Sequence, residues 1–475
     1  MTHGRTGMAG DIARAAAVVM LAGVAIIGGA GLAMGTAHAA ARGAQEPAAP
    51  VPGGAAGADD AARQAELASD AAAFAACAEY DARSGMLHFF RPPSAAALRH
   101  LPRVPGLMER TELWVTGSVT ADTARAIADA DTGLKSLRTL DLGGAIMTVE
   151  GLKALASAGT GLKNLTSLHF GGRVATDEGL RVLAAADTGL KELTRLSVAG
   201  ERVTDDGLKA LAAADTGLKN LTGLDLTYAE ITDEGVKALA AAGTGLKNLT
   251  TLDLSNTAVG DEGIKALAAA DTGLKNLTTL ILDATQITND GLIALVAPDT
   301  GLKNLTTLDL SWISVTTRGL RALAAPDMGL KKLTTLILAR ASFSGQDVAV
   351  LAAADTGLKN LTTLGLHGGT SGALEKVLAS ADSGLKNLET LELGFITDQS
   401  LEGLVAGTGL RNLRTLVILD GRLLVNGLSV LRSANSGLKN LEVLEFDRRS
   451  VTDEQIVRIR ALLPGLTIKV REERR

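Results

Sequence analysis

Catalysis or metal binding needs His, Cys, Asp, Glu or Ser at matched spacings, and this chain sets few of them that way. Its six histidines stand at 3, 38, 88, 100, 169 and 367, with no HxxxH or HExxH spacing, so zinc chemistry is not indicated. A single cysteine, Cys77, excludes an internal disulfide framework and a cysteine-built metal site. Its Ala-rich flanks place it in a helix, as an inert thiol. The loop His367-Gly368-Gly369-Thr370-Ser371-Gly372 is rich in glycine but has neither the Lys-Ser/Thr of a P-loop nor the GxGxxG order. Thr-Asp-Glu runs look like acidic ligands, and helix capping accounts for them. No Ser/His/Asp or Cys/His set assembles from the sequence. The expectation is a non-enzyme, with no catalytic residue, metal or cofactor.

The elements that carry these residues are repeats. A Gly-Leu pair returns at Gly106, Gly133, Gly161, Gly189, Gly217, Gly245, Gly273, Gly301, Gly329, Gly357, Gly384, Gly409, Gly437 and Gly465. Eight successive spacings are 28 residues, and the others are 27, 27, 25, 28 and 28. A period in this range means a solenoid, which grows by adding units rather than cores. In the unit from Gly245 to Asp271, Leu252 and Leu254 alternate into the core of a short strand, with Thr251, Asp253 and Ser255 outward. Val259, Ile264, Leu267 and Ala268 follow at helical spacing. A Thr before the acidic pair caps that helix, and the acids sit at its positive end. The next glycine, in A-D-T-G-L, reads as a left-handed helix end.

The pattern LxxLxLxxTxVTDEGLxxLA resembles the leucine-rich repeat family over residues 106–470. Its V/I-T-D-E-G stretch is similar to the cysteine-containing type, its length to the ribonuclease-inhibitor type, and its T-G-L-K-N-L-T-x-L phrasing to exported bacterial members. The resemblance implies an α/β solenoid: a horseshoe with a parallel β-sheet on the concave face and helices on the convex face. Fourteen strands at about 4.8 Å spacing would give an inner arc of roughly 65 Å. The last, around Leu466–Val470, reads as the closing strand, with 471–475 a charged tail.

Repetition separates two kinds of position. Those that repeat serve the stack, and outward ones that vary are free for a partner. The central outward column runs Trp114, Asp141, His169, Ser197, Asp225, Asp253, Ile281, Asp309, Ile337, Gly365, Glu392, Val417 and Glu445. With Asp283 beside it, this face is acidic and suits a cationic protein partner; a merely solvated sheet is the alternative. Two residues past the last strand leucine stand Tyr228, Trp312 and Arg340, types enriched in interface hot spots. Where the spacing shrinks to 27 and 25, the units hold His367 and Phe395. Candidate protein-binding residues are therefore Tyr228, Trp312, Arg340, His367, Phe395, Asp225, Asp253, Asp283 and Asp309.

Bulk composition fits. Aromatics are 2% and the net charge is −5, which disfavours a base-stacking platform or a phosphate-tracking stripe. Residues 1–39 read as a signal peptide, with an apolar stretch from Ala15 to about Gly35 and cleavage after Ala39, or as a retained membrane anchor. Residues 40–57 read as an Ala/Pro/Gly-rich linker and 58–105 as a helical N-terminal cap. The expected function is an exported protein-binding scaffold of the cell envelope or beyond; a structural spacer or adhesion component is the alternative.

Overall fold

The computed structural model describes residues 56–129, 134–339, 349–366, 378–420, 427–432 and 437–471. The export segment 1–39, most of the linker 40–57 and tail residues 472–475 lie outside them. The described strands join in one 17-stranded sheet. From Met86–Phe89 to Thr467–Arg471 every pairing is parallel. Successive strands align one 28-residue unit apart, as Thr251–Asp253 on Thr279–Ile281 and Thr307–Asp309. Between them run short helices such as Asp205–Ala212, Asp233–Ala240 and Asp261–Ala268. The molecule is an α/β solenoid with the leucines between sheet and helices.

Each word of the repeat has a physical task. Leu246, Leu249, Leu252, Leu254, Ile264 and Leu267 are fully buried. The Asn of K-N-L-T donates from its amide to a Lys carbonyl one unit back, as Asn248 to Lys219 at 2.8 Å. The first Thr of T-T-L does the same with its hydroxyl, as Thr250 to Thr222 at 3.0 Å. Thr204 and Thr232 cap their helices by accepting from the amides of Asp206 and Glu234. The acidic residue after the cap reaches the next unit. Asp177 accepts from the amide and hydroxyl of Thr204, both at 2.8 Å, and from the amide of Gly207 at 3.0 Å. Thus the Thr-Asp-Glu runs cap one helix and clamp its neighbour.

Four expectations change. Among the described residues no glycine of A-D-T-G-L is left-handed. Gly217 is needed because an added Cβ would lie 2.3 Å from the Ala185 carbonyl of the preceding unit. Segment 58–105 is not helical throughout. Helices Ala56–Ala75 and Ala95–His100 flank an antiparallel hairpin, Ala78–Asp81 with Met86–Phe89, whose second strand is the first parallel rung. Cys77 lies in the turn past the first helix, buried, with its thiol pushed up by that burial. At the other end Arg471 belongs to the closing strand rather than the tail; it bonds Glu445 and, at 3.1 Å, Glu392.

Candidate functional site

The strand register places the predicted outward residues in one file. Trp114, Asp141, His169, Ser197, Asp225, Asp253, Ile281, Asp309, Ile337, Gly365, Glu392, Val417 and Glu445 are successive partners. The shortened units keep this register, as Thr363, Thr390 and Thr415 pair in line. Their missing residues therefore come out of the connections, not the strands.

The polar start of the file is hydrogen-bonded across rungs. Ser197 donates to Asp225 at 2.8 Å, and His169 Nδ1 lies 2.7 Å from the Ser197 hydroxyl. Because that hydroxyl proton goes to Asp225, His169 Nδ1 is the donor in this line. Serine sits between histidine and aspartate, so the histidine is not placed as its base, and this is no acyl-transfer triad.

Further along, the outward positions are not solvated. Asp253, Ile281, Asp309 and Ile337 are buried, although they lie outside the leucine core. Ile281 packs with Ile337 and Ala339 across the intervening Asp309 strand. Side chains a rung apart stand only about 4.8 Å from their neighbours and cover one another. Asp253 and Asp309 each accept from the amide of the serine two residues on, Ser255 and Ser311, at 2.9 Å. Asp283 occupies the serine position of its own unit. Neither of its oxygens has a hydrogen-bond partner among the described residues, nor does one oxygen each of Asp253 and Asp309. Burial, reinforced by the charge of Asp225, raises Asp253 to about 7. Burial and the charge of Asp253 raise Asp283 to about 7. Burial and then the charges of Asp283 and Asp253 raise Asp309 to about 8. Asp225 is half-buried and held by Ser197 and Thr227.

Beside this file runs a row of left-handed residues that the sequence did not disclose. Tyr228, Asn256, Ala284 and Trp312 have φ of 65°, 57°, 53° and 57°. Their amides donate to Ser255, Asp283, Ser311 and Ala339 of the next unit at 2.8–3.1 Å. Asparagine tolerates this backbone, but tyrosine, alanine and tryptophan are strained in it. Tyr228 and Trp312 are 38% and 41% exposed at the strand exits. Desolvation, then the charge of Asp283, raises the Tyr228 phenol. Arg340 and His367 lie outside the described residues, as does the side chain of Phe395, which ends the strand Thr390–Phe395 opposite Asp420. On the strand-entry side an open groove is lined by Asn248, Asn276, Asn304 and Lys332. Its asparagine amides are already bonded within the stack.

Leucine ladders, parallel rungs and helices returning every 28 residues define a repeat solenoid of the leucine-rich class. The family model described as leucine-rich repeat matches residues 133–156, 217–240, 245–268, 273–296 and 301–324, and the chain is a leucine-rich repeat protein. Among solved structures it is similar to an internalin from Listeria monocytogenes, with 17% identity over 76% of this chain and 87% of that one, TM-score 0.39. It is also similar to a leucine-rich repeat protein from Leptospira interrogans, with 19% identity over 80% of this chain and 99% of that one, TM-score 0.34. No curated protein matches the chain.

Proposed function

We propose that this leucine-rich repeat protein is a non-enzymatic, exported scaffold that presents its strand-exit rim and acidic concave file to a protein partner with a cationic surface. The observation that carries the reading is the contrast along the rim. Stack positions repeat from unit to unit, while the rim places exposed Tyr228 and Trp312 on strained backbone. Strain kept at an exposed aromatic points to use by a ligand rather than to packing. Arg340 extends the same row in sequence, and His367 and Phe395 follow in the shortened units. Of the acidic file only Asp225 is half-buried; Asp253, Asp283 and Asp309 are buried with raised carboxyls, so they favour a basic partner only when its cationic group enters among them. Export rests on the sequence of residues 1–39. Among the described residues no helix is long and apolar enough to cross a membrane.

The test is a cross-linking pull-down from envelope extract, comparing parent protein with a Tyr228→Ala, Trp312→Ala, Arg340→Ala variant. Alanine already occupies the row at Ala284, so the variant should fold. Capture by the parent and loss in the variant places recognition on the rim. Equal capture moves it off this row. No saturable partner for either form supports a spacer role in the cell envelope.

A further inference from the structure

Three carboxylates lie on adjoining rungs at the middle of the concave file, with no counter-charge acting on them among the described residues. Asp253, Asp283 and Asp309 are all buried. Four of their oxygens are shut from solvent and lack hydrogen-bond partners: both of Asp283, and Oδ2 of Asp253 and of Asp309. Buried polar atoms are nearly always bonded, and carboxylates above all, so four orphans in one patch call for an occupant. The cause is an inversion in one unit. Flanking units place Asp on the strand and Ser two residues on; here Ile281 stands first and Asp283 second. Asp283 has thereby lost the serine that holds Asp253 and Asp309. Asp253 and Asp309 lie two rungs apart, about 9–10 Å along the sheet, with Asp283 on the rung between. The groups whose charge acts on the three, among the described residues, are one another and Asp225.

The chemistry of the occupant follows from its surroundings. It is a cation. No set of three His, Cys, Asp or Glu among the described residues is placed to hold a metal ion. An ammonium is a compact point charge with three N–H donors, whereas the broader planar guanidinium would need more of the covering side chains to move. Ile281, Ile337 and Ala339 form an apolar cluster beside the carboxylates, fit for the methylenes of a long cationic side chain. The exposed rings of Tyr228 and Trp312 stand at the exits of the rung before Asp253 and of the Asp309 rung itself, and aromatic faces favour a passing cation.

We infer that Asp253, Asp283 and Asp309 form the receptor for a lysine ammonium carried by a protein partner, entering past the Tyr228–Trp312 rim. This rests on the scaffold reading above and names the chemistry that the scaffold selects. The oxygens are closed off in the free chain, so entry displaces side chains at the rim. The phenol of Tyr228, raised first by desolvation, also feels the Asp283 charge.

The experiment is calorimetric titration of the full chain with Nα-acetyl-lysine methylamide, its arginine and norleucine counterparts, and butylammonium. The lysine probe should saturate with a Kd of about 1–10 mM, the range for one fragment-sized ligand. The arginine and norleucine probes should bind at least about tenfold more weakly, a loss equal to one charge-assisted contact or more. Asp283→Ser should lose the lysine probe to the same degree. It should stay folded because serine holds this position in both flanking units, and Asp283→Asn gives a second, near-isosteric check. Equal binding by wild type and both variants, by norleucine and lysine, or by arginine and lysine overturns the assignment, as does absence of saturation. Tighter binding of butylammonium than of the blocked lysine overturns the protein-borne source. A partner captured by pull-down while the lysine probe fails would sink this inference and leave the scaffold reading standing.

Discussion

Asp283 shows how one residue sets the behaviour of its neighbourhood. Its carboxyl is raised from an unfolded value of about 3.9 to about 7. A raised carboxyl stabilises the fold fully below its unfolded value, and that contribution disappears as pH rises through the folded value. Asp253 and Asp309 are raised to about 7 and about 8, so all three act in the same direction and window. The thermal midpoint should therefore fall between about pH 4 and pH 8, the interval those values bracket. Asp283→Ser should flatten the fall, raising the midpoint at pH 9 and leaving it nearly unchanged at pH 4. Thermal unfolding followed by circular dichroism at each pH reads this, and an unchanged slope would show that Asp283 ionises freely. The left-handed row gives a second prediction at this scale. Ala284→Gly should stabilise by roughly 0.5–1 kcal/mol in urea titrations, because relief of left-handed strain exceeds the added entropy of the unfolded chain.

At the scale of elements, the helix start is where neighbouring units are tied. The Asp of one unit bonds the capping Thr of the next, as Asp205 does with the Thr232 amide at 2.8 Å and hydroxyl at 2.6 Å. Asp205→Ala should destabilise by about 2–3 kcal/mol, the range for buried or charge-assisted hydrogen bonds. The glycine after the acidic pair follows from the same contact. A Cβ on Gly235 would sit 2.5 Å from Asp205 Oδ1. Alanine in a helix usually gains about 1 kcal/mol over glycine. Here Gly235→Ala should lose about 1–3 kcal/mol, because the crowding outweighs the propensity. Chemical denaturation of the two variants decides it, and a stabilised Gly235→Ala would refute the clamp.

On the scale of the molecule, a solenoid has two open ends and a stack of near-equal units between them. The first end is covered by the hairpin and by helix Ala56–Ala75, tied to Ala95–His100 through Asp70 and Arg99 at 2.8 Å. The last is pinned by Arg471, which reaches back to Glu445 and Glu392. Its guanidinium is largely desolvated yet held charged by those two carboxylates. Hydrogen exchange should be slowest in the units between Val203 and Leu323 and fastest at the ends. Arg471→Ala should speed exchange within 437–471 by several-fold and leave the central units unchanged. Uniform acceleration along the whole chain would mean that the units unfold together rather than from the ends.

By itself the sequence determined the repeat, the alternation of strand and helix, and the file from Trp114 to Glu445. These depend on local spacing: a period of two fixes which face a strand residue takes, and a constant unit length fixes which residues align. Tertiary structure decided what happens between units. Whether the glycine in A-D-T-G-L serves backbone geometry or clearance depends on a carbonyl about one unit away, so Gly217 read locally as a cap and proved to be a gap for Ala185. The strained backbone under Tyr228 and Trp312 is set by bonds to the following rung. Asp253 and Asp309 look outward in any single strand, and only the apposition of three rungs buries them with Asp283 between. Burial and charge coupling are properties of the stack, and a single repeat does not contain its neighbours.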